Sequence, residues 1–145
     1  MSELKFFVPG EPIPEGSTKA FQRGGKVIVT HDNRRLSAWR EAVQTGAVSS
    51  ARQQGWPLEF DGPVVVGVTF WLPRPKRPRF DVPAAKPDLD KLQRAVGDGL
   101  CPKSGPGVLA EDSRIVCWHD PTKRYADRQH PLGAHVRVTD MTVPF

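Results

Sequence analysis

The chain has 145 residues, with 21 Lys+Arg against 16 Asp+Glu, a formal charge of +5 and a pI near 9.6. That length suits a single domain over residues 1–145, and a domain of this size buries about two-thirds of the surface its unfolded chain exposes, so neither a disulfide nor a structural metal is required on size grounds. The longest apolar stretch, Val64 to Leu72, is nine residues long and interrupted by Gly67 and Thr69, which excludes it as a membrane span of ~20 residues.

Leu4 to Val8 and Lys26 to Thr30 are short β-rich runs. The stretch between them carries Gly10, Pro12, Pro14, Gly16, Gly24 and Gly25, which predicts a long loop joining two neighbouring strands. Asp32 and Asn33 are good N-cap residues, and Leu36, Trp39, Val43 and Ala47 follow at helical spacing, predicting a first helix that ends near Gln54-Gly55. After a loop from Pro57 to Pro63, Val64 to Leu72 is the strongest strand. Its β-branched residues fall on both faces, which suits a central place in a sheet, and Gly67 marks a bulge.

Pro73-Arg74-Pro75-Lys76-Arg77-Pro78-Arg79-Phe80 alternates proline with cations. Proline lacks the donor a central strand needs, so this segment is an exposed basic loop. From Asp88 a second helix follows, its stripe of Leu89, Leu92, Val96 and Leu100 facing the sheet and Cys101-Pro102 closing it. Lys103 to Gly107 predicts a turn, Arg114 to His119 a strand, and Asp120 to Gly133 a polar, basic loop. Ala134 to Thr139 alternates cleanly, as a half-exposed edge strand does. The order β-β-α-β-α-β-β predicts an α+β single domain, a mixed β-sheet packed by two main helices.

Most of the chemistry lies in three aspartates of this basic chain: Asp88 and Asp90 at the start of the second helix, and Asp112 ahead of the next strand. An Asp-x-Asp at a helix N-terminus is more often a cap and a dipole partner than a metal site. Asp112 changes the balance if the chain returns to that helix end. The helix is ~18 Å long at 1.5 Å per residue, and the nine residues from Lys103 to Glu111 reach far enough at up to ~3.3 Å each. Converging carboxylates repel one another unless a cation sits among them, and an oxygen-only set suits Mg²⁺, or Mn²⁺ in its place. Such an ion activates water and offsets charge at a phosphodiester. Arg94, four residues after Asp90, is either a bidentate clamp on phosphate or a plain i,i+4 ion pair worth ~0.3–0.5 kcal/mol.

A basic balance favours nucleic acid as partner, because neutralising phosphates releases counterions; ordinary solubility charge accounts for it equally well. Arg74, Lys76, Arg77, Arg79 and Lys86 flank the aspartates and are the candidate phosphate contacts, with Phe80 a candidate wedge against an unstacked base. Arg23, Lys26, Arg34, Arg35, Lys123, Arg124 and Arg128 extend the positive surface. Cys117, His119, His130 and His135 lack paired zinc-ligand spacing. Neither a phosphate-cradling glycine motif nor a serine-nucleophile signature stands out. Cys101 and Cys117, beside apolar segments and without a secretory segment ahead of them, read as free buried thiols of a reducing compartment.

Lys86-Pro87-Asp88-Leu89-Asp90-Lys91-Leu92-Gln93-Arg94-Ala95, followed by Gly107-Val108-Leu109-Ala110-Glu111-Asp112-Ser113-Arg114-Ile115, resembles the signature of the RusA family of Holliday junction resolvases. The similarity extends to Val8-Pro9-Gly10-Glu11-Pro12-Ile13-Pro14 and so covers most of the chain, although only the paired aspartates and the downstream one are specific. The resemblance implies that Asp88, Asp90 and Asp112 bind Mg²⁺, that cleavage depends on them, and that the working unit is a homodimer on a four-way junction. It also implies a phage or prophage source and a bacterial cytoplasm. Two positions depart from the family pattern. Arg94 stands where the family has a catalytic lysine, which keeps the charge and loses any role for a neutral amine. Lys91 replaces an asparagine, and either weakens metal binding or touches DNA. Glu111 is a candidate helper ligand. Trp39 on the first helix, or Phe70 and Trp71, are candidates for the dimer interface. Besides junction resolution, the residues are compatible with a nuclease of broader branched-DNA range, and with a basic DNA-binding protein whose acidic cluster has lost catalysis.

Overall fold

The computed structural model describes the backbone of residues 3–16, 20–23, 26–29 and 31–142, and the side chains of 3–16 and 34–142. In chain order the elements are β1 (Glu3–Pro9), β2 (Ala20–Arg23), β3 (Lys26–Val29), α1 (His31–Gln54), β4 (Val64–Leu72), α2 (Leu89–Leu100), a single 3₁₀ turn (Asp112–Arg114), β5 (Ile115–Tyr125) and β6 (Gly133–Asp140). Four strands form one mixed sheet in the order β1-β6-β4-β5. β6 is antiparallel to both neighbours, whereas β4 and β5 run parallel. A parallel pair needs a long crossover, and α2 lies within it.

Alternation along β4 shows how the layers are built. Val64, Val66, Val68, Phe70 and Leu72 are buried, while the residues between them are half-buried on a face that carries no helix. Leu36, Trp39, Val43, Ala47 and Ala51 of α1 and Leu92, Ala95, Val96 and Leu100 of α2 complete the core on the covered face. Burying a Leu or Val fully contributes about 1.5–3 kcal/mol each, so these stripes hold both helices in place. The helices approach closely at Gly99, where a Cβ would stand 2.5 Å from Val43 Cγ1 and 3.0 Å from the Arg40 carbonyl oxygen. Trp56 closes the far end of the core and donates from Nε1 to the Val108 carbonyl at 3.1 Å. At the start of β6, Gly133 has a φ of 153°, and any side chain there would collide with the Val8 carbonyl.

The α+β class and the mixed sheet agree with the sequence reading, and several details do not. β1 is not beside β3: it pairs with β6, while β3 pairs with β2, which lies in the expected loop. Only Gly24-Gly25 separates those two runs, and pairing across so short a connection has the smaller loop-closure cost. β6 is interior rather than an edge. Its alternation comes from a sheet covered on one face only, which gives a central strand the same pattern. The edges are β1 and β5, and β5 continues through Asp120–Tyr125, part of the expected loop. Pro121 is tolerated there because an edge strand can spare a ladder donor, and the pairing slips by one residue opposite Gly67, as expected of a bulge. α1 begins at His31, so Asp32 and Asn33 sit in its first turn instead of capping it; their side chains lie outside the described residues. Cys101 is half-buried but Cys117 is exposed on β5, and both are free thiols. Trp39 is 3% exposed and Phe70 fully buried, so both serve the core and neither offers a surface to a partner.

Candidate active site

Asp88 occupies the N-cap position of α2 with extended backbone, yet its side chain makes no capping hydrogen bond. The capping explanation for this residue therefore fails. Its carboxylate instead pairs with Lys91 at 3.6 Å and stays exposed. Asp90 follows in the first helical turn, on the polar face opposite the buried Leu92 and Val96 stripe.

The chain brings Asp112 back to this helix end by a traceable route. After α2 it turns so that Val108 and Leu109 donate to the Leu100 carbonyl, and Leu109 then bridges to Phe60 in parallel. The 3₁₀ turn carrying Asp112 is held from outside by Arg114. That guanidinium donates from Nη2 to Asp61 Oδ1 at 2.7 Å and from Nε at 3.0 Å, and pairs through Nη1 with Glu111 at 3.0 Å. Glu111 is thereby engaged with Arg114 in this structure.

Asp90, Gln93, Arg94, Asp98, Asp112, Trp118 and Glu15 are among the residues lining one open cleft of about 540 Å³. The structure thus unites Asp90, Asp112 and Arg94 and leaves Asp88 outside the lining, on the Lys91 side. Arg94 is exposed and, among the described residues, forms no ion pair with Asp90 or any other acid, so the i,i+4 explanation falls away. Glu15 and Asp98 are the residues sequence reading missed. Arg40 of α1 ties them together, pairing with Glu15 through both Nη2 and Nε, the latter at 3.2 Å, and approaching Asp98 Oδ2 at 3.5 Å. Burial, then a hydrogen bond and repulsion from Glu15, push the Asp98 carboxyl up to about 6, with Asp112 adding to the effect and Arg40 opposing it. A signal for Asp98 was present, since it follows Asp90 by eight and Arg94 by four, one helix face. Glu15, in a loop, had none.

These carboxylates have the donor chemistry of a hard divalent cation. Among the described residues, however, no three His, Cys, Asp or Glu side chains stand grouped closely enough to hold an ion. His130 and His135 belong to another network: His130 stacks on Trp71 with centroids 4.1 Å apart, and Trp71 Nε1 donates to His135 Nδ1 at 2.8 Å.

Arg74, Lys76, Arg77, Arg79, Lys86 and Lys91 are all exposed, and Phe80 is 50% exposed with the Arg79 guanidinium 5.2 Å from its ring centre. Two cations counted as free surface charge are otherwise engaged. Arg35 pairs with Glu11 at 2.9 Å, and Lys123 donates to the carbonyls of Ala85 and Pro87 at 2.8 and 2.9 Å. The side chains of Arg23 and Lys26 lie outside the described residues.

An α+β domain that gathers acids and an arginine in an open cleft, with an exposed cationic loop just ahead of the helix that supplies them, has the make-up of a hydrolase acting on nucleic acid. The family model described as Endodeoxyribonuclease RusA matches residues 9–139, and the chain belongs to that family. It is accordingly an endodeoxyribonuclease of the RusA type, a hydrolase of phosphodiester bonds. No curated protein matches it. Among the described residues no helix is long and apolar enough to cross a membrane.

Proposed function

We propose that the protein is a Mg²⁺-dependent, structure-selective enzyme that resolves Holliday junctions by paired symmetric nicks. The observation that carries this reading is the cleft shared by Asp90, Asp112 and Arg94 in a RusA-family chain. Asp90 and Asp112, with Asp88 two residues ahead of Asp90 in the chain, are the residues that would hold Mg²⁺ or Mn²⁺, a cation that keeps several waters and takes only one or two carboxylates. Held there, such an ion would supply the Lewis acidity that lowers the pKa of a water nucleophile and offsets negative charge at the phosphodiester. Arg94 grips the scissile phosphate with its fork of N–H donors and, being permanently charged, orients it without transferring a proton. Arg74, Lys76, Arg77, Arg79, Lys86 and Lys91 contact phosphates, and Phe80 wedges against an unstacked base at the junction centre.

A four-way junction has two-fold symmetry, so paired nicks call for two such domains related by a two-fold axis. The open face of the sheet, where Phe7, Val65, Gly67 and His135 line a groove, is the surface we assign to the second copy. The setting we infer is the cytoplasm of a bacterial host, with a phage or prophage source.

The test is incubation with a labelled mobile four-way junction in Mg²⁺ or EDTA, beside Asp90→Asn. Symmetric nicks that vanish with EDTA and in the variant support the reading; equal cutting of forks and flaps points to a broader branched-DNA nuclease. Tight junction binding without cleavage in Mg²⁺ or Mn²⁺ leaves a DNA-binding protein, the outcome that the Asp88–Lys91 pairing would favour.

A further inference from the structure

We propose that Lys123 is a positioning residue of the active site, holding the approach to Asp88, and not one of the DNA contacts. The inference rests on the reading of Asp88 as an active-site group. Lys123 and Arg124 are adjacent in sequence, but strand alternation sends them to opposite faces. On β5, Lys123 is paired with the buried Phe70 of the covered face, and Arg124 with Trp71 of the open one. From the covered face the Lys123 ammonium reaches the end of the basic loop and donates to the Ala85 and Pro87 carbonyls at 2.8 and 2.9 Å.

The Pro87 carbonyl belongs to the peptide group that leads into Asp88. Asp88 makes no capping hydrogen bond, so apart from an exposed ion pair with Lys91 at 3.6 Å its own side chain does little to fix this helix entry. Pro83 and Pro87 offer no N–H to a neighbouring strand, so the loop's own backbone has few means of anchoring itself. A compact ammonium with three donors suits this task, because two charge-assisted bonds to carbonyls spaced two residues apart define a point in the fold. Those two donors are then turned to protein and not to a phosphate.

The tether and a phosphate contact predict different results for Lys123→Met, which keeps the apolar stem and removes the donors. Junction binding in EDTA across a salt series should match the wild type in affinity and slope, whereas Arg77→Met should lower the slope by ~1. Single-turnover cleavage at saturating junction should fall about 10–100-fold, as when a group supporting an active-site side chain is lost. Amide exchange at Lys86, Asp88 and Leu89 should quicken by about tenfold while the melting curve stays intact. Lys123→Gln, with a shorter reach, serves the same comparison if the Met variant does not fold. A reduced salt slope with unchanged exchange and saturated cleavage would overturn the proposal and make Lys123 a phosphate contact. Should the wild type cut no junction, the functional reading fails, and the exchange and salt experiments still decide whether the tether exists.

Discussion

Gly97 and Gly99 lie two residues apart on α2, and replacing each by alanine should change stability in opposite directions. Alanine gains about 1 kcal/mol over glycine in a helix interior from propensity alone. At Gly97 a Cβ meets only Ile115 Cδ1 at 3.9 Å, an ordinary contact, so Gly97→Ala should be stabilised by up to about 1 kcal/mol. At Gly99 the Cβ would stand 2.5 Å from Val43 Cγ1, 2.6 Å from Val43 Cβ and 3.0 Å from the Arg40 carbonyl. Backbone and Cβ atoms cannot rotate out of the way, so α1 and α2 must part. Overpacking of this kind costs typically ~1–3 kcal/mol, and its upper range applies because the neighbours are rigid. Net of propensity, Gly99→Ala should lose about 1–2 kcal/mol, or roughly 3–8 °C in Tm for a chain of this size. Thermal and urea unfolding followed by circular dichroism, both in EDTA, measure it. Parting the helices also separates Arg40 from Asp98, so cleavage should suffer in Gly99→Ala more than in Gly97→Ala. If both variants are stabilised alike, the close helix approach is wrong, and with it the placement of Asp98 beside Arg40.

The two buried tryptophans allow a matched comparison, because Trp56 Nε1 has a carbonyl partner and Trp39 Nε1 has none among the described residues. Trp56→Phe should therefore be more destabilising than Trp39→Phe by about 1 kcal/mol, the net worth of one hydrogen bond; equal losses in urea titrations would contradict this. Asp98 gives a pH dependence. Its folded-state carboxyl is raised to about 6 from 3.8, so its contribution to stability is fully present below about pH 4 and is lost as pH rises through 6. Asp98→Asn, neutral at every pH, should gain on the wild type between pH 4 and 7. With the side chain 46% exposed, solvent screening limits that gain to below about 1 kcal/mol. Melting curves at the two pH values, taken in EDTA, test the sign. Arg114→Ala releases both Asp61 and Glu111 from the turn carrying Asp112; cleavage should fall about 10–100-fold with junction affinity kept, and a loss confined to affinity would show Arg114 contacting DNA.

The parts of this fold legible in the sequence are those that depend on neighbours in the chain. Leu36, Trp39, Val43 and Ala47 mark α1, Leu92, Val96 and Leu100 mark α2, and the apolar run of β4 coincides with its observed bounds. Each is a local periodicity, set by 3.6 or 2 residues per repeat, and each fills a covered face. Asp88, Asp90 and Asp112 were legible in the same way, as charges placed at the starts of elements. Strand order was not, because β6 reads alike in the interior or at the edge when one face of the sheet is open. Nor does a sequence distinguish a cation free for phosphate from one committed to the protein. Lys123 and Arg124 differ only in which face of β5 they take, and Lys123 finds carbonyls 36 and 38 residues away. Glu15 and Asp98 meet beside Arg40, from a loop and two helices that pack because Gly99 permits it. Composition and local pattern decided the elements and the chemistry this chain carries, since both follow from side chains acting over a few residues. Tertiary packing alone decided which acids share the cleft and which cations remain free, since those pairings join segments distant in the chain.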